Sequence, residues 1–460
     1  MGGKVREKLV EAIGAREIAL KVLKAVEVDG AYANIALNKY LEEYQPSKLD
    51  RAFATELAYG AIRTLNTLDW VLARFIRKPL AAQSVWIRNI LRMGVYQLLY
   101  MERVPPAAAC NEAVELAKKY GTPGMAGFVN GVLRNVVRER DKLSFPPLDD
   151  DPVGHISLKY SHPTWMVERW LHEFGIEETI AMCRANNANA PNTVRTNTLR
   201  TNRDELVAAL REEGVAAQKT RFAPEGLEIR GFVSLRTLTA YRRGLFQVQD
   251  ESSMLIGHAV SPAPGSHVLD VCSAPGGKAT HLAQLMRDDG TIVAMDIHPH
   301  KLALIEDNCR RLGVKSVEAL AFDARELPGA YAGWADYTLV DAPCSGLGVL
   351  RRRADARWRK EAAQLPGLVK LQEAILDAAA ATVRPGGVLV YSTCTITREE
   401  NQEQVEKFLE RHPDFYLEDL RPFMPALLPE AELARGYIQI LPHAHGMDGF
   451  FVARMRRREV

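Results

Sequence analysis

Two rhythms of apolar residues divide the chain. Over residues 1–140 apolar side chains recur three and four positions apart, the spacing that gathers them on one face of a helix. This predicts helices over 15–28, 50–66, 67–76, 83–100, 108–120 and 126–139, separated by short Gly, Pro and Asn breaks. Residues 87–99 are apolar nearly all round, as the central helix of a bundle must be. From 267 onward the rhythm changes. Short apolar runs at 267–272, 291–296, 316–321, 336–341 and 387–392 read as strands, with helical spacing near 278–287, 299–312, 366–383 and 399–411. That alternation predicts a parallel sheet covered by helices on both faces. A last apolar run at 449–455 predicts a strand at the sheet's edge.

Between these two regions lies a mixed stretch. Val194–Asn197 and Leu227–Ile229 read as strands and Arg203–Glu213 as a helix, which predicts a small α+β module. Residues 141–160 carry Pro146-Pro147 and the run Asp149-Asp150-Asp151, and predict a linker on the surface. Tyr160-Ser161-His162-Pro163-Thr164-Trp165 leads into a further helix through Trp170 and Phe174. His162 and Trp165 could stack on a base, but a His-Pro before a helix is more often a turn, and a Trp core. The expected organisation is multidomain: 1–144 an all-α bundle, 145–160 a linker, 161–243 the α+β module and 244–460 an α/β domain.

Composition narrows this picture. A chain of 460 residues exceeds one ordinary core and predicts two to four domains. No run of 18 apolar residues exists, so no membrane span is expected. The opening MGGKVREKLVEAIG lacks the apolar core of a signal peptide, and Arg6 misses the myristoylation pattern. The six cysteines, at 110, 183, 272, 309, 344 and 394, form no CxxC pair. Neither a metal site nor a disulfide framework is expected, and free thiols fit a reducing cytoplasm. The formal net charge is only +2, but residues 1–140 carry 21 Lys and Arg against 14 Asp and Glu. A basic first domain suits a polyanionic partner, although a solvated surface would look the same.

The candidate chemistry centres on residues 268–296, VLDVCSAPGGKATHLAQLMRDDGTIVAMD, which read as strand, glycine turn, helix, strand, acid. Gly276 and Gly277 let a backbone approach a ligand, and the helix start beyond offers free N–H groups. Asp296 follows Gly276 by 20 residues, about where an acid accepts hydrogen bonds from a ribose. The turn is not GxGxxG, so a NAD-dependent dehydrogenase is disfavoured. A strand–turn–helix with glycines for packing alone is the bland alternative. Polar residues also end the following strands: Asp296, Asp323, Asp341-Ala342-Pro343-Cys344-Ser345-Gly346 and Ser392-Thr393-Cys394-Thr395. Polar tips on successive strands beside a glycine loop make an active site the better account. Cys110, Cys183 and Cys309 read as small hydrophobic core residues.

CSAPGGK, DAPCSG and YSTCT, in that order, resemble the cofactor loop and the two cysteine motifs of the RNA 5-methylcytosine methyltransferases. RAFATELAYGAIR and GFVNGVLRN, at 51–63 and 127–135, resemble the NusB family of RNA-binding antitermination factors. VRTNTLR resembles the first strand of the RRM-like module that precedes the catalytic domain in those methyltransferases. No RNP aromatic pattern accompanies it, which disfavours base stacking on that sheet. The three parts together, with PHAHGMDGFF at 442–451, resemble the RsmB family of bacterial small-subunit (16S) rRNA cytosine-C5 methyltransferases. The resemblance spans nearly the whole chain.

The resemblance implies an all-α NusB-like bundle, an RRM-like α+β module and a Rossmann-like class I methyltransferase domain. It implies S-adenosylmethionine as cofactor. Cys272, Ser273, Ala274, Pro275, Gly276, Gly277 and Lys278 would wrap its methionine part, Asp296 would hold the ribose and Asp323 would meet the adenine. Asp341 would border the methyl donor. It implies Cys394 as nucleophile and Cys344 as the residue assisting release. Cytosine C5 is too poor a nucleophile to take a methyl group unaided, and a thiolate adding to C6 activates it. Asp341, if protonated, would face N3, and Lys278 would lower a nearby thiol or orient a base. The implied partner is 16S rRNA before full subunit assembly, bound by a cytoplasmic monomer with no membrane and no metal. Arg88, Arg92, Lys118, Lys119 and Arg134 would contribute RNA contacts. The basic run 351–353 and 357–360 would flank the target base. His443 and His445 could be catalytic, but a turn at a strand edge is the commoner setting. A tRNA cytosine-C5 methyltransferase and a non-catalytic RNA-binding factor are the alternatives; the NusB-like part favours rRNA, and the intact cysteine pair favours an enzyme.

Overall fold

In this computed structural model, residues 13–425 and 427–459 are described. Residues 1–12, Ala426 and Val460, with most of the N-terminal stretch read above for signals, lie outside them. The described residues form two units: one within 13–188 with 350–360, the other within 189–349 with 361–459.

The first unit is built from nine helices among the described residues: α1 (Ala15–Val28), α2 (Ala33–Tyr44), α3 (Lys48–Arg63), α4 (Leu65–Ala73), α5 (Val85–Tyr100), α6 (Pro106–Tyr120), α7 (Met125–Glu139), α8 (Pro152–Lys159) and α9 (Thr164–Asn187). Their apolar stripes account for the packing. α7 buries Val129, Val132, Leu133 and Val136, one face at helical spacing. α5 is buried on nearly every side, from Ile87 to Leu98, as expected of a central helix. Glycines bring its neighbours close. A Cβ on Gly94 would stand 2.7 Å from the Leu133 side chain, so that side chain of α7 lies directly on the α5 backbone. Ser47 and Ser84 accept the N–H groups of Asp50 and Ile87, which starts α3 and α5 where the sequence placed their first turns.

Three features depart from expectation. α2 escaped notice because only Ala33, Ala36, Leu37 and Leu41 face inward, a narrow stripe. The linker expected over 145–160 is instead packed structure. Asp151 caps α8, Ile156 is fully buried, and Phe145 stacks on Trp70 at 4.9 Å. Thr67 donates to the Leu158 carbonyl and Asn66 to that of Ser157. The acid run that suggested a linker is thus partly a helix cap. The third departure is 350–360, whose basic residues turn into this unit. Arg357 is fully buried and donates to the carbonyls of Ser161 and Asn186, at 3.0 Å each, and to Asn187 Oδ1 at 2.8 Å. Trp358 Nε1 donates to the Ile62 carbonyl at 2.7 Å, and Arg359 to those of Gly30 and Ala31. Arg357, Trp358 and Arg359 therefore hold protein carbonyls rather than phosphates.

The second unit holds two sheets. The smaller is antiparallel, in the order β2 (Ala216–Lys219), β3 (Gly226–Arg230), β1 (Asn192–Thr196), β4 (Phe246–Val248). α10 (Arg203–Glu212), opened by an Asn202–Glu205 capping box, covers it with Leu206 and Leu210. A short α11 (Thr239–Arg242) precedes β4. By contacts α9 falls in the first unit, and β4 lies past 243.

The larger sheet runs β10-β12-β9-β8-β5-β6-β7, with β11 also paired to β12. Its parallel strands are β5 (His267–Asp270), β6 (Thr291–Asp296), β7 (Val317–Ala321), β8 (Ala335–Asp341) and β9 (Val383–Thr393). β12 (Phe450–Arg457) lies antiparallel to β9 and carries β10 (Phe415–Leu417) and β11 (Tyr437–Ile440). The helices are α12 (Glu251–Val260), α13 (Gly277–Leu285), α14 (Pro299–Leu312), the short α15 (Leu327–Tyr331), α16 (Leu365–Ala380) and α17 (Gln402–Arg411). Every strand expected here is present within a few residues, but β12, expected at the edge, lies inside the sheet because β10 pairs with its far side. Because β6 and β7 lie on one side of β5 and β8 and β9 on the other, the order reverses at β5–β8. A crevice opens at that point, at the carboxyl ends. No described helix is long and apolar enough to cross a membrane.

Candidate active site

The turn after β5 is fixed from three sides. Ser273 N–H donates to the Met295 carbonyl at 2.7 Å, and Gly276 N–H to that of Ser273 at 2.7 Å. Asn308 of α14 donates to the Pro275 carbonyl at 3.0 Å. The two glycines differ in purpose. Gly276 sits at φ +89°, and a Cβ there would stand 3.1 Å from Ile305, so it answers both to turn geometry and to packing against α14. Gly277 opens α13 with nothing within 4 Å of its missing Cβ, leaving its approach clear for a ligand.

Behind this turn the small sheet grips α13. Arg195 of β1, fully buried, donates to the Gly277 carbonyl at 2.6 Å, to Thr280 Oγ1 at 3.0 Å and to Gln284 Oε1 at 2.9 Å. Glu225 lies 2.8 Å from His281 Nε2 of α13 and 3.1 Å from His258 Nε2 of α12. Burial pushes His281 down to about 4, against the pull of Glu225. The sequence reading gave these residues no role; a charged Arg195 within a short strand was their only signal.

At the crevice a cavity of about 490 Å³ is lined by Cys272, Ala274, Asp296, Asp323 and Asp341, with apolar walls from Ile297, Phe322, Leu371 and Ile375. Five expected cofactor residues thus share one space. Ser273, Pro275, Gly276, Gly277 and Lys278 lie on the turn and helix start but do not line this cavity. Asp296 Oδ1 accepts from the His298 N–H at 2.9 Å and stands 3.6 Å from Lys301 Nζ. Asp323 caps its own turn and pairs with Arg325 at 2.5 Å, so part of its capacity is taken within the chain.

The loops beyond β8 and β9 carry the two cysteines of the expected motifs. Cys344 Sγ and Cys394 Sγ stand 3.3 Å apart. Contact with Cys394, then burial, pushes the Cys344 thiol well above its usual range. Gly348 N–H donates to the Cys394 carbonyl at 3.0 Å, and Gly449 N–H to the Gly348 carbonyl at 2.8 Å. A Cβ on Gly348 would stand 2.1 Å from the Gly449 carbonyl oxygen. Both glycines are required by this close approach.

Lys278 Nζ donates to Asp341 Oδ2 at 2.6 Å, and Ser392 Oγ to Asp341 Oδ1 at 3.0 Å. Burial works against the Lys278 charge, but Asp341 outweighs it and holds the ammonium above its usual range. The expected protonated Asp341 meets a different geometry here, that of a carboxylate paired with an ammonium. The acid whose environment favours a proton is its neighbour Asp270, overlooked in the apolar run of β5. It is fully buried, and burial pushes its carboxyl up to about 7, with the Asp341 charge adding and Ser273 and Lys278 opposing.

Several other expectations resolve structurally. His162 is fully buried, bonded through Nδ1 to the Tyr160 carbonyl and set edge-on to Trp170. His445 Nδ1 stands 3.2 Å from the Leu441 carbonyl oxygen, at the foot of the short helix Pro442–His445. Arg92 is bound to Asp69 and Glu27, and Arg88 to Glu27. Lys118, Lys119 and Arg134 remain exposed.

A sheet whose order reverses beside a glycine turn, with acids at successive strand ends and an antiparallel last strand, defines a Rossmann-like methyltransferase domain. Residues 258–456 match the family described as 16S rRNA methyltransferase RsmB/F. Residues 14–138 match the NusB family, and 162–236 the RsmF/B-like ferredoxin-like domain. The chain is 38% identical to the probable ribosomal RNA small subunit methyltransferase B of Bacillus subtilis (strain 168), covering 96% of this chain and 98% of that one. It is 34% identical to the ribosomal RNA small subunit methyltransferase B of Escherichia coli O1:K1 / APEC, covering 90% and 92%. Among solved structures, PH0851 superposes with a TM-score of 0.81 at 28% identity, covering 97% of this chain and 99% of that one. NSun6 from Pyrococcus horikoshii with SFG gives 0.58 at 26% identity, covering 65% and 99%. The chain belongs to the RsmB/F family of 16S rRNA methyltransferases.

Proposed function

We propose that the protein transfers a methyl group from S-adenosylmethionine to C5 of a cytosine in 16S rRNA through a covalent bond between Cys394 and C6 of the base. The observation that carries this reading is the pair of thiols 3.3 Å apart at the ends of β8 and β9, beside the Lys278–Asp341 pair. The chemistry of the crevice suits the cofactor: acids at Asp296 and Asp323 for hydroxyls and amine, apolar walls for a purine, and open space at Gly277. SFG, held in the NSun6 structure, is an analogue of this cofactor. Cys272–Lys278, Asp296, Asp323 and Asp341 would hold it, and when bound it supplies an electrophilic methyl group.

The chain's own residues do the rest. The Cys394 thiolate adds to C6, and the C5–C6 bond becomes an enamine that is nucleophilic at C5. Lys278 faces Cys394 as a neighbouring positive charge and favours the thiolate. Asp341 anchors that ammonium from the other side. Once C5 carries the methyl group, a base takes the C5 proton, the C5–H electron pair re-forms the C5–C6 double bond, the Cys394–C6 bond breaks with its pair going to sulfur, and Cys344 assists this release. The elimination restores Cys394 and the aromatic ring. The first unit, with a net charge of +7 over residues 1–140 and exposed Lys118, Lys119 and Arg134, binds the RNA. The enzyme works as a cytoplasmic monomer on rRNA that is not yet fully assembled.

The test incubates wild type, Cys394→Ala and Cys344→Ala with labelled S-adenosylmethionine and protein-free 16S rRNA. Wild type forms 5-methylcytosine, Cys394→Ala forms none, and Cys344→Ala leaves a denaturation-resistant protein–RNA adduct. Label on tRNA alone would move the substrate, and RNA binding without label on any RNA would remove the enzymatic reading.

A further inference from the structure

Glu400 stands in the turn between β9 and α17 and is fully buried. Its side chain is hydrogen-bonded by neutral donors. Oε1 accepts from the Ser345 N–H at 2.8 Å and from Gln372 Nε2 at 2.9 Å. Oε2 accepts from Ser345 Oγ at 2.5 Å and from Thr397 Oγ1 at 2.5 Å. Ser345 Oγ in turn lies 2.6 Å from Thr395 Oγ1. Gln372, reaching from α16, also donates to the Pro343 carbonyl at 3.0 Å. The main-chain carbonyl of Glu400 accepts the Tyr391 hydroxyl at 2.7 Å.

These partners have a common address. Pro343 and Ser345 flank Cys344, and Thr395 follows Cys394. A buried carboxylate is costly unless fully hydrogen-bonded, and here the donors that satisfy it belong to the two cysteine loops and the helix beside them. We infer that Glu400 is a positioning residue: its carboxylate ties the Cys344 loop to the Cys394 loop and sets the separation of the two sulfurs. It holds the loops through Ser345, Thr397 and Gln372, and reaches Thr395 through Ser345. Its charge has a second effect, since together with Asp341 it disfavours an anion on Cys344. The inference rests on reading the two cysteines as the reacting pair.

The variants separate charge from geometry. Gln at 400 keeps one acceptor oxygen toward Ser345 N–H and Gln372, and turns its amide toward two hydroxyls that can rotate to accept. Ala removes everything. Each full-length variant is assayed for single-turnover methylation of 16S rRNA, KM for that RNA, and capture of phenylarsine oxide, which bridges two thiols only at close spacing. Cys344→Ser serves as the capture control. For Glu400→Ala we expect loss of capture and a rate reduced by about 100-fold, the cost of a misplaced reacting group, with KM unchanged. Glu400→Gln restores capture and most of the rate. Equal capture and rate in wild type and Glu400→Ala would overturn the inference. Should Glu400→Ala not fold, Ser345→Ala with Thr395→Val removes the hydroxyl bridge alone, and wild-type capture and rate in that variant would overturn it equally. A wild type that captures the arsenical without methylating RNA would sink the reading of the site while leaving the positioning role measurable by capture.

Discussion

Arg357 in the first unit and Glu400 in the second are both buried charges surrounded by neutral dipoles. Arg357 is held by carbonyls from the ends of α9 and the turn before it, and burial lowers its guanidinium to about 9. Glu400 is held by hydroxyls and N–H groups from loops that carry the cysteines. The physics is the same, since many weak dipoles replace the lost water of one ion. The purpose differs. Arg357 fastens residues 350–360 into a helical unit, where the gain is stability. Glu400 fastens a pair of loops whose separation matters for chemistry, where the gain is geometry.

Asp270 offers the sharpest way to break this comparison. It is also buried, but beside a like charge, and its carboxyl is pushed up to about 7 by burial. Unfolded aspartic acid titrates near ~3.9. Below that value both states hold the proton. As pH rises toward 7 the unfolded chain loses it and the folded chain does not, so stability falls, by ~4 kcal/mol over the window. Asp270→Asn does not titrate, and its unfolding free energy relative to wild type should rise from pH 4 to pH 7 and then level. A flat difference in urea titrations would mean that Asp270 stays ionised, as a fully satisfied carboxylate does.

Arg357→Met comes next. It leaves the buried carbonyls of Ser161 and Asn186 and the half-buried Asn187 Oδ1 without this donor and should lower the unfolding free energy by ~3 kcal/mol, read from the denaturant midpoint. An unchanged midpoint would show that water replaces the guanidinium and that the parallel with Glu400 fails. Tyr391→Phe removes one buried hydroxyl from the Glu400 carbonyl and should cost ~1 kcal/mol. Trp358→Phe, which loses the bond to Ile62, should cost about the same, ~1 kcal/mol, and leave single-turnover methylation per folded molecule unaltered.

The helical bundle and the alternating sheet were legible in the two apolar rhythms because both rest on strong periodicity. The strand tips 296, 323, 341, 344 and 394 were legible for the same reason, since a polar residue at the end of an apolar run marks a carboxyl edge. What escaped has a common cause. Arg195, Glu225, Asp270, Arg357 and Glu400 are charged residues whose burial depends on partners far along the chain, and local pattern says nothing of those partners. The basic run after DAPCSG looked like phosphate contacts because charge in a loop usually faces water. α8 was hidden by prolines and acids that are in fact its N-terminal signals, Asp151 at the cap and Pro152 in the first turn.

Strand β12 pairs with β9, the strand that ends at Thr393 beside Cys394, and supplies the support for β10 and β11. Translation is directional, so β9 leaves the ribosome well before residues 450–457 do. Until they emerge, β9 presents an open row of amides and carbonyls, a hazard for pairing with another nascent chain. That row is covered only when residues 450–457 have followed β9 out of the ribosome and paired with it.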